Sequence, residues 1–181
     1  MLIQLWHSFV RAQRRRHVRK QIGRLPSPVD AVVFDFDGVF TDNGVIVNQD
    51  GVESVRCDRM DGMGINLLTK AGVRLLVLSK EQNPVVAARC RKLKLECLHG
   101  VDDKAPALRA WLEQHHCDIR RTVYLGNDVN DAPCLSIVGC PCVVADAHES
   151  VFALAKIVLS KPGGRGAVRE LCDMILARMG K

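Results

Sequence analysis

Past Pro26, short runs rich in β-branched residues alternate with segments of helical period, and this alternation restricts the chain to a small set of folds. Strands are expected at 30–36, 73–79, 122–127, 141–146 and 156–160. Helices are expected at 61–72, 83–94, 103–116, 129–139 and 167–179. Between the first strand and the first helix, 44–57 reads as a hairpin with Asp50-Gly51 as its turn. Strands that alternate with helices pair in parallel and carry helices on both faces. The expectation is an α/β fold, a doubly wound parallel sheet of Rossmann type. With 181 residues, 48% hydrophobic and 25% charged, the chain can bury one core and is too apolar to remain disordered.

Charge divides the chain unevenly. Residues 1–25 hold seven bases and no acid, while the whole chain carries +6. The basic excess therefore belongs to an N-terminal arm, 1–25, ahead of a single domain at 26–181. Such an arm suits an anionic surface or a solvated helical extension, and its poor aromatic interleaving argues against nucleic acid as a partner. No apolar run reaches the length of a membrane span, and the opening lacks the order of a signal peptide. The eight cysteines show no CxxC pair, so they are expected as reduced, mostly buried thiols of a cytoplasmic protein.

The chemistry starts at 32–43, VVFDFDGVFTDN, where Asp35 and Asp37 sit one residue apart at the end of an apolar run. Like charges at i and i+2 of an extended segment repel unless a cation, a proton or a reaction uses them. Ser79 and the Asn127-Asp128 pair also fall where expected strands stop, and open α/β sheets bind ligands at that edge. With Lys104 and Asp131 added, the set suits Mg²⁺, which takes oxygen ligands and phosphate oxygens. One carboxylate can attack phosphorus, and the other can move the leaving-group proton. Ser79 and Lys104 can hold the phosphoryl oxygens as charge shifts.

These stretches resemble the motifs of the haloacid dehalogenase-like phosphohydrolases. DFDGVFTD, LVLS, Lys104 in DDKAPAL and GNDVND stand for the four motifs in order. DGVESVRCDRMDGMGI, VVADAHESV and PGGRGAVRELCDMIL narrow the likeness to a capless branch. That branch holds the 3-deoxy-D-manno-octulosonate 8-phosphate phosphatases and the 9-phosphate phosphatases of sialic acids. The resemblance implies a β-hairpin flap, no large cap domain, and a homotetramer in which one hairpin covers a neighbour's site. It implies Asp35 as nucleophile and Mg²⁺ ligand, and Asp37 as general acid/base and ligand through its carbonyl. Ser79 and Lys104 would grip phosphate. Substrate contacts would come from Asp58, Arg59, Met60, Asp61, Gly62 and Arg89.

Two departures bear on this reading. Ser79-Lys80-Glu81 stands where the octulosonate phosphatases usually carry Thr-Gly-Arg, a variant closer to domains linked to acylneuraminate cytidylyltransferases. Asn127 stands where an Asp metal ligand is common, which leaves Asp128 and Asp131 as supports around the metal. The expected reaction is Mg²⁺-dependent hydrolysis of a sugar acid's terminal phosphate, with a nine-carbon 9-phosphate favoured over the eight-carbon 8-phosphate. A guanidinium can take the substrate carboxylate with two parallel bonds, and Arg59, Arg89 and Arg165 are the candidates. The alternative is a non-catalytic oligomerisation or regulatory module acting with a cytidylyltransferase.

Overall fold

The structure, a computed structural model, describes residues 20–181; residues 1–19, most of the expected basic arm, lie outside the described residues. The first strand, β1 (Ala31–Phe34), is buried along its whole length. A hairpin follows, β2 (Thr41–Val47) and β3 (Glu53–Cys57), antiparallel with an irregularity between Thr41 and Val45. Then come α1 (Arg59–Lys70), β4 (Arg74–Leu78), α2 (Pro84–Leu93), β5 (Glu96–Leu98) and α3 (Lys104–Gln114). β6 (Thr122–Gly126), α4 (Ala132–Leu135), β7 (Cys140–Val143), α5 (Glu149–Phe152), β8 (Ile157–Val158) and α6 (Ala167–Arg178) complete the chain.

Six strands form one parallel sheet in the order β5-β4-β1-β6-β7-β8. The chain moves outward from β1 through β4 to β5, then returns to the other side of β1 with β6. The strand order thus reverses between β1 and β6, and the crevice at their carboxyl ends is the place such sheets bind ligands. The doubly wound parallel fold is as expected, and the hairpin is the sole insertion between β1 and α1, with no large cap.

Local chemistry explains most boundaries. Asp58 accepts from Met60 N and caps α1, which starts two residues before the expected 61. Pro84 opens α2, and Asn83 accepts from Val85 N as its cap. The expected helix at 129–139 is shorter: a 3₁₀ turn at Val129–Asp131 leads into α4, and a turn follows. The expected strand at 156–160 pairs only over β8. Contacts with the sheet begin ahead of Pro26. Leu25 is buried, Arg24 Nη1 donates to Lys156 O at 2.8 Å, and Gln21 Nε2 donates to Val158 O. The eight cysteines are all unpaired. Among the described residues, no helix is long and apolar enough to cross a membrane.

Candidate active site

Asp35 follows β1 directly, and its backbone N still donates to Leu125 O of β6, so the carboxylate stands at the strand-order reversal. It is buried, and its Oδ1 accepts from Phe36 N at 2.7 Å and pairs with Lys104 Nζ at 2.8 Å. Both bonds fall on Oδ1, which leaves Oδ2 available to a ligand. Lys104 is the first residue of α3 and is also buried. Its ammonium bridges Asp35 and Asp131, each at 2.8 Å.

Asp131 is the structural centre of this floor. Its Oδ1 also accepts from Tyr124 Oη at 2.7 Å, and its Oδ2 accepts from Asn127 N at 2.8 Å. It therefore holds both Lys104 and the turn after β6 in place. Asp128 bonds its own turn, accepting from Val129 N at 2.7 Å.

Above this floor lies a cleft of about 440 Å³ lined by Asp35, Asp37, Ser79 and Asn127, with Asn43, Lys80, Glu81, Gln82, Asp102, Asp128 and Asn130 at its walls. Ser79 is buried at the end of β4, and its Oγ accepts from Glu81 N at 3.1 Å. Lys80 reaches Asp102 at 3.6 Å on the exposed lip. Gly38 adopts φ +71°, which glycine tolerates best, and a Cβ there would overlap the Asn127 amide. Its N–H donates to Thr41 Oγ1 at 3.0 Å, which closes the turn that carries Asp37.

The electrostatics of this cleft call for a cation. Burial, then the nearby Asp131 carboxylate, raise the Asp35 pKa, although Lys104 opposes them. Burial and then Glu81 raise that of Asp37. Burial works against the Lys104 charge, but Asp35 and Asp131 outweigh it, so Lys104 stays an ammonium. Lys104 beneath and Lys80 on the lip face Asp35, Asp37, Glu81, Asp102, Asp128 and Asp131, which leaves the site short of positive charge. The buried Asn127 Oδ1 has no hydrogen-bond partner, an arrangement that costs stability unless a ligand takes it. Among the described residues no three His, Cys, Asp or Glu side chains gather as a metal cluster. The cleft instead combines Asp35 and Asp37 with the unpartnered Asn127 amide oxygen, an all-oxygen donor set that fits Mg²⁺.

Residues 79–171 match the family of haloacid dehalogenase-like hydrolases. A 3-deoxy-D-manno-octulosonate 8-phosphate phosphatase of Yersinia pestis is 32% identical over 151 residues, 83% of this chain and 81% of that protein. The chain belongs to the haloacid dehalogenase-like hydrolases. Its reaction class is that of a phosphoric monoester hydrolase. A solved HAD family hydrolase from Streptomyces avermitilis is 51% identical, with a TM-score of 0.82 over 84% of this chain and 88% of that one. A 3-deoxy-D-manno-octulosonate 8-phosphate phosphatase from Moraxella catarrhalis, solved with magnesium, phosphate and KDO, is 26% identical. Its TM-score is 0.81 over 90% of this chain and 91% of that one.

The hydrolase brings Asp35, Asp37, Ser79 and Asn127 to one cleft, with Lys104 and Asp131 beneath. The expected substrate residues lie elsewhere in the single chain. Arg89 Nη2 donates to Asp58 O at 2.9 Å and so ties α2 to the start of α1. Asp61 is buried, and its Oδ1 accepts from Arg169 N at 2.9 Å in the first turn of α6. A Cβ on Gly62 would come within 2.9 Å of Leu93 Cδ2. Arg59 and Met60 are exposed on α1. Arg165 is exposed and pairs with Asp42 at 3.6 Å, where Arg56 also pairs at 3.0 Å. None of these lines the cleft. Sequence reasoning missed Tyr124, which bonds Asp131 beneath the cleft, and Thr41, which closes the turn after Asp37. Only the aromatic in TVYLGN and the threonine in DGVFTD marked their places.

Proposed function

We propose that this protein is a Mg²⁺-dependent phosphatase of a phosphorylated sugar acid. The observation that carries the reading is the convergence of Asp35, Asp37, Ser79 and Asn127 in one cleft above the Lys104 ammonium. Asp35, the Asp37 carbonyl and Asn127 Oδ1 would hold the metal. When bound, Mg²⁺ screens the carboxylates from one another and offsets charge on the phosphoryl oxygens. Asp35 attacks phosphorus, the bond to the sugar oxygen breaks, and Asp37 gives its proton to that oxygen. Water then attacks the aspartyl phosphate and loses a proton to Asp37, and phosphate leaves with Asp35 restored. Ser79 binds phosphoryl oxygen, and Lys104 holds Asp35 in place.

The substrate class draws support from relatives that are octulosonate 8-phosphate phosphatases by name. The nine-carbon 9-phosphate stays our preferred substrate because Lys80 and Glu81 form the lip where the octulosonate enzymes usually carry Gly-Arg. A phosphate-release screen over eight- and nine-carbon sugar-acid phosphates tests both points. Faster turnover of the 8-phosphate would overturn the nine-carbon reading, and no release from any member would overturn the phosphatase reading.

We also propose a homotetramer. The hairpin exposes Val45, Ile46, Val47 and Val52, and α1 exposes Met60 and Met63. An apolar flap of this kind suits burial against another copy. In such an assembly Arg59 and Arg165 could serve a neighbour's cleft. The cytidylyltransferase link remains a proposal that rests on the Ser79-Lys80-Glu81 variant, and residence in the cytoplasm is proposed from the reduced cysteines.

A further inference from the structure

We propose that Asp146 and the Gly163-Gly164 pair form a backbone strap that positions the turn carrying Asp37, which makes Asp146 a positioning residue for the reaction. The proposal rests on the phosphatase reading. The two glycines lie between β8 and α6, and Asp146 lies between β7 and α5. Gly163 N donates to Asp146 Oδ1 at 2.8 Å, and Gly164 N donates to Val39 O at 3.0 Å. Both glycines are buried. A Cβ on Gly163 would overlap the Gly38 carbonyl oxygen, and one on Gly164 would overlap the Asp42 backbone N. Backbone therefore lies directly on backbone, against the segment that follows Asp37.

The contact continues inward. The far side of Gly38 abuts the Asn127 amide, so a stack runs from Asp146 through Gly163 and Gly38 to Asn127. The loop that carries Asp146 also fixes the other end, because His148 N donates to Asn127 O at 2.7 Å. Asp146 is exposed, and its one hydrogen bond goes to the strap. That bond needs an acceptor oxygen, which an amide supplies as well as a carboxylate. The turn itself is short, closed by Gly38 N to Thr41 Oγ1 and by Phe40 N to Phe36 O. The strap holds this turn through Val39 O and the close approach of Gly163 to Gly38 O, and displacement of about 1 Å at a reacting group can cost about 10² in rate.

The test uses the full chain with a small aryl phosphate as probe, and compares wild type with Asp146→Ala, Asp146→Asn and Gly163→Ala. Two readouts are taken: kcat against KM, and the Mg²⁺ concentration that gives half of the Mg²⁺-induced rise in Tm. Asp146→Ala is expected to lower kcat about tenfold with KM nearly unchanged, and to raise the Mg²⁺ midpoint. Asp146→Asn is expected to recover kcat to within about twofold of wild type. Gly163→Ala is expected to lose more than Asp146→Ala. Wild-type kcat in a folded Asp146→Ala or Gly163→Ala overturns the proposal. So does an Asp146→Asn variant as impaired as Asp146→Ala. If Asp146→Ala does not fold, Asp146→Asn and Gly163→Ala decide by the same criteria. If wild type releases no phosphate from any substrate, the phosphatase reading has failed. The Mg²⁺ midpoint then decides the strap, and an unchanged midpoint in the variants overturns it.

Discussion

Asp61 shows how a single residue's role is set by its neighbours. Its Oδ1 takes the Arg169 N–H, while its buried Oδ2 has no partner. Burial raises its pKa to about 6, against the lowering effect of that N–H. The folded-state pKa thus lies above the unfolded one. Its contribution to stability is complete below about pH 4 and is lost as pH rises through about 6. Asp61→Asn keeps an acceptor for Arg169 N and removes the charge. The Tm of the variant relative to wild type is expected to improve steadily between about pH 4 and 7. A difference that stays constant across that window would contradict it. Asn127 offers a second test at this scale. Its Oδ1 is the orphaned oxygen of the cleft, and Asn127→Asp adds a charge there. The Mg²⁺ concentration for half-maximal activity should fall about tenfold, as an extra anionic donor strengthens binding to a hard cation. An unchanged Mg²⁺ dependence would remove Asn127 from the metal's ligands.

At the scale of elements, the residues that end buried strands were legible in the sequence, because strand length and polarity mark them together. Asp35, Ser79 and Asn127 were found that way. β5 was not, since three residues of mixed polarity carry no period. Nor was α5, a four-residue helix capped by His148. Asp58 was read as a substrate contact, although its side chain caps α1. The bond from Arg89 to Asp58 O depends on how α2 crosses α1, which no local pattern reports. The hairpin has the opposite character: its turn was legible, yet its apolar residues have no cover among the described residues. Ile46 is 71% exposed. Paired Val45→Lys and Ile46→Lys changes should split the proposed tetramer into smaller species in light scattering and lower turnover. A wild-type protein that runs as a monomer would defeat the assembly reading.

Across the whole molecule, the sheet order decides where chemistry can occur. Residues 1–19 hold five of the chain's bases and no acid. Residues 21 to 25 contact β8 and the core through Gln21, Arg24 and Leu25. Deletion of residues 1–19 should keep turnover and leave Tm within about 2 °C, while weakening salt-sensitive retention on heparin. Loss of soluble, active protein would show that the arm supports the domain. The central claim is that Asp35 attacks phosphorus. Its most direct measurement is phosphate release from a sugar-acid phosphate with saturating Mg²⁺, for wild type and Asp35→Asn, with Tm compared to establish that both fold. The expected result is release by wild type and a loss of at least about four orders of magnitude in the folded variant. Release by folded Asp35→Asn at a rate near wild type would contradict the account.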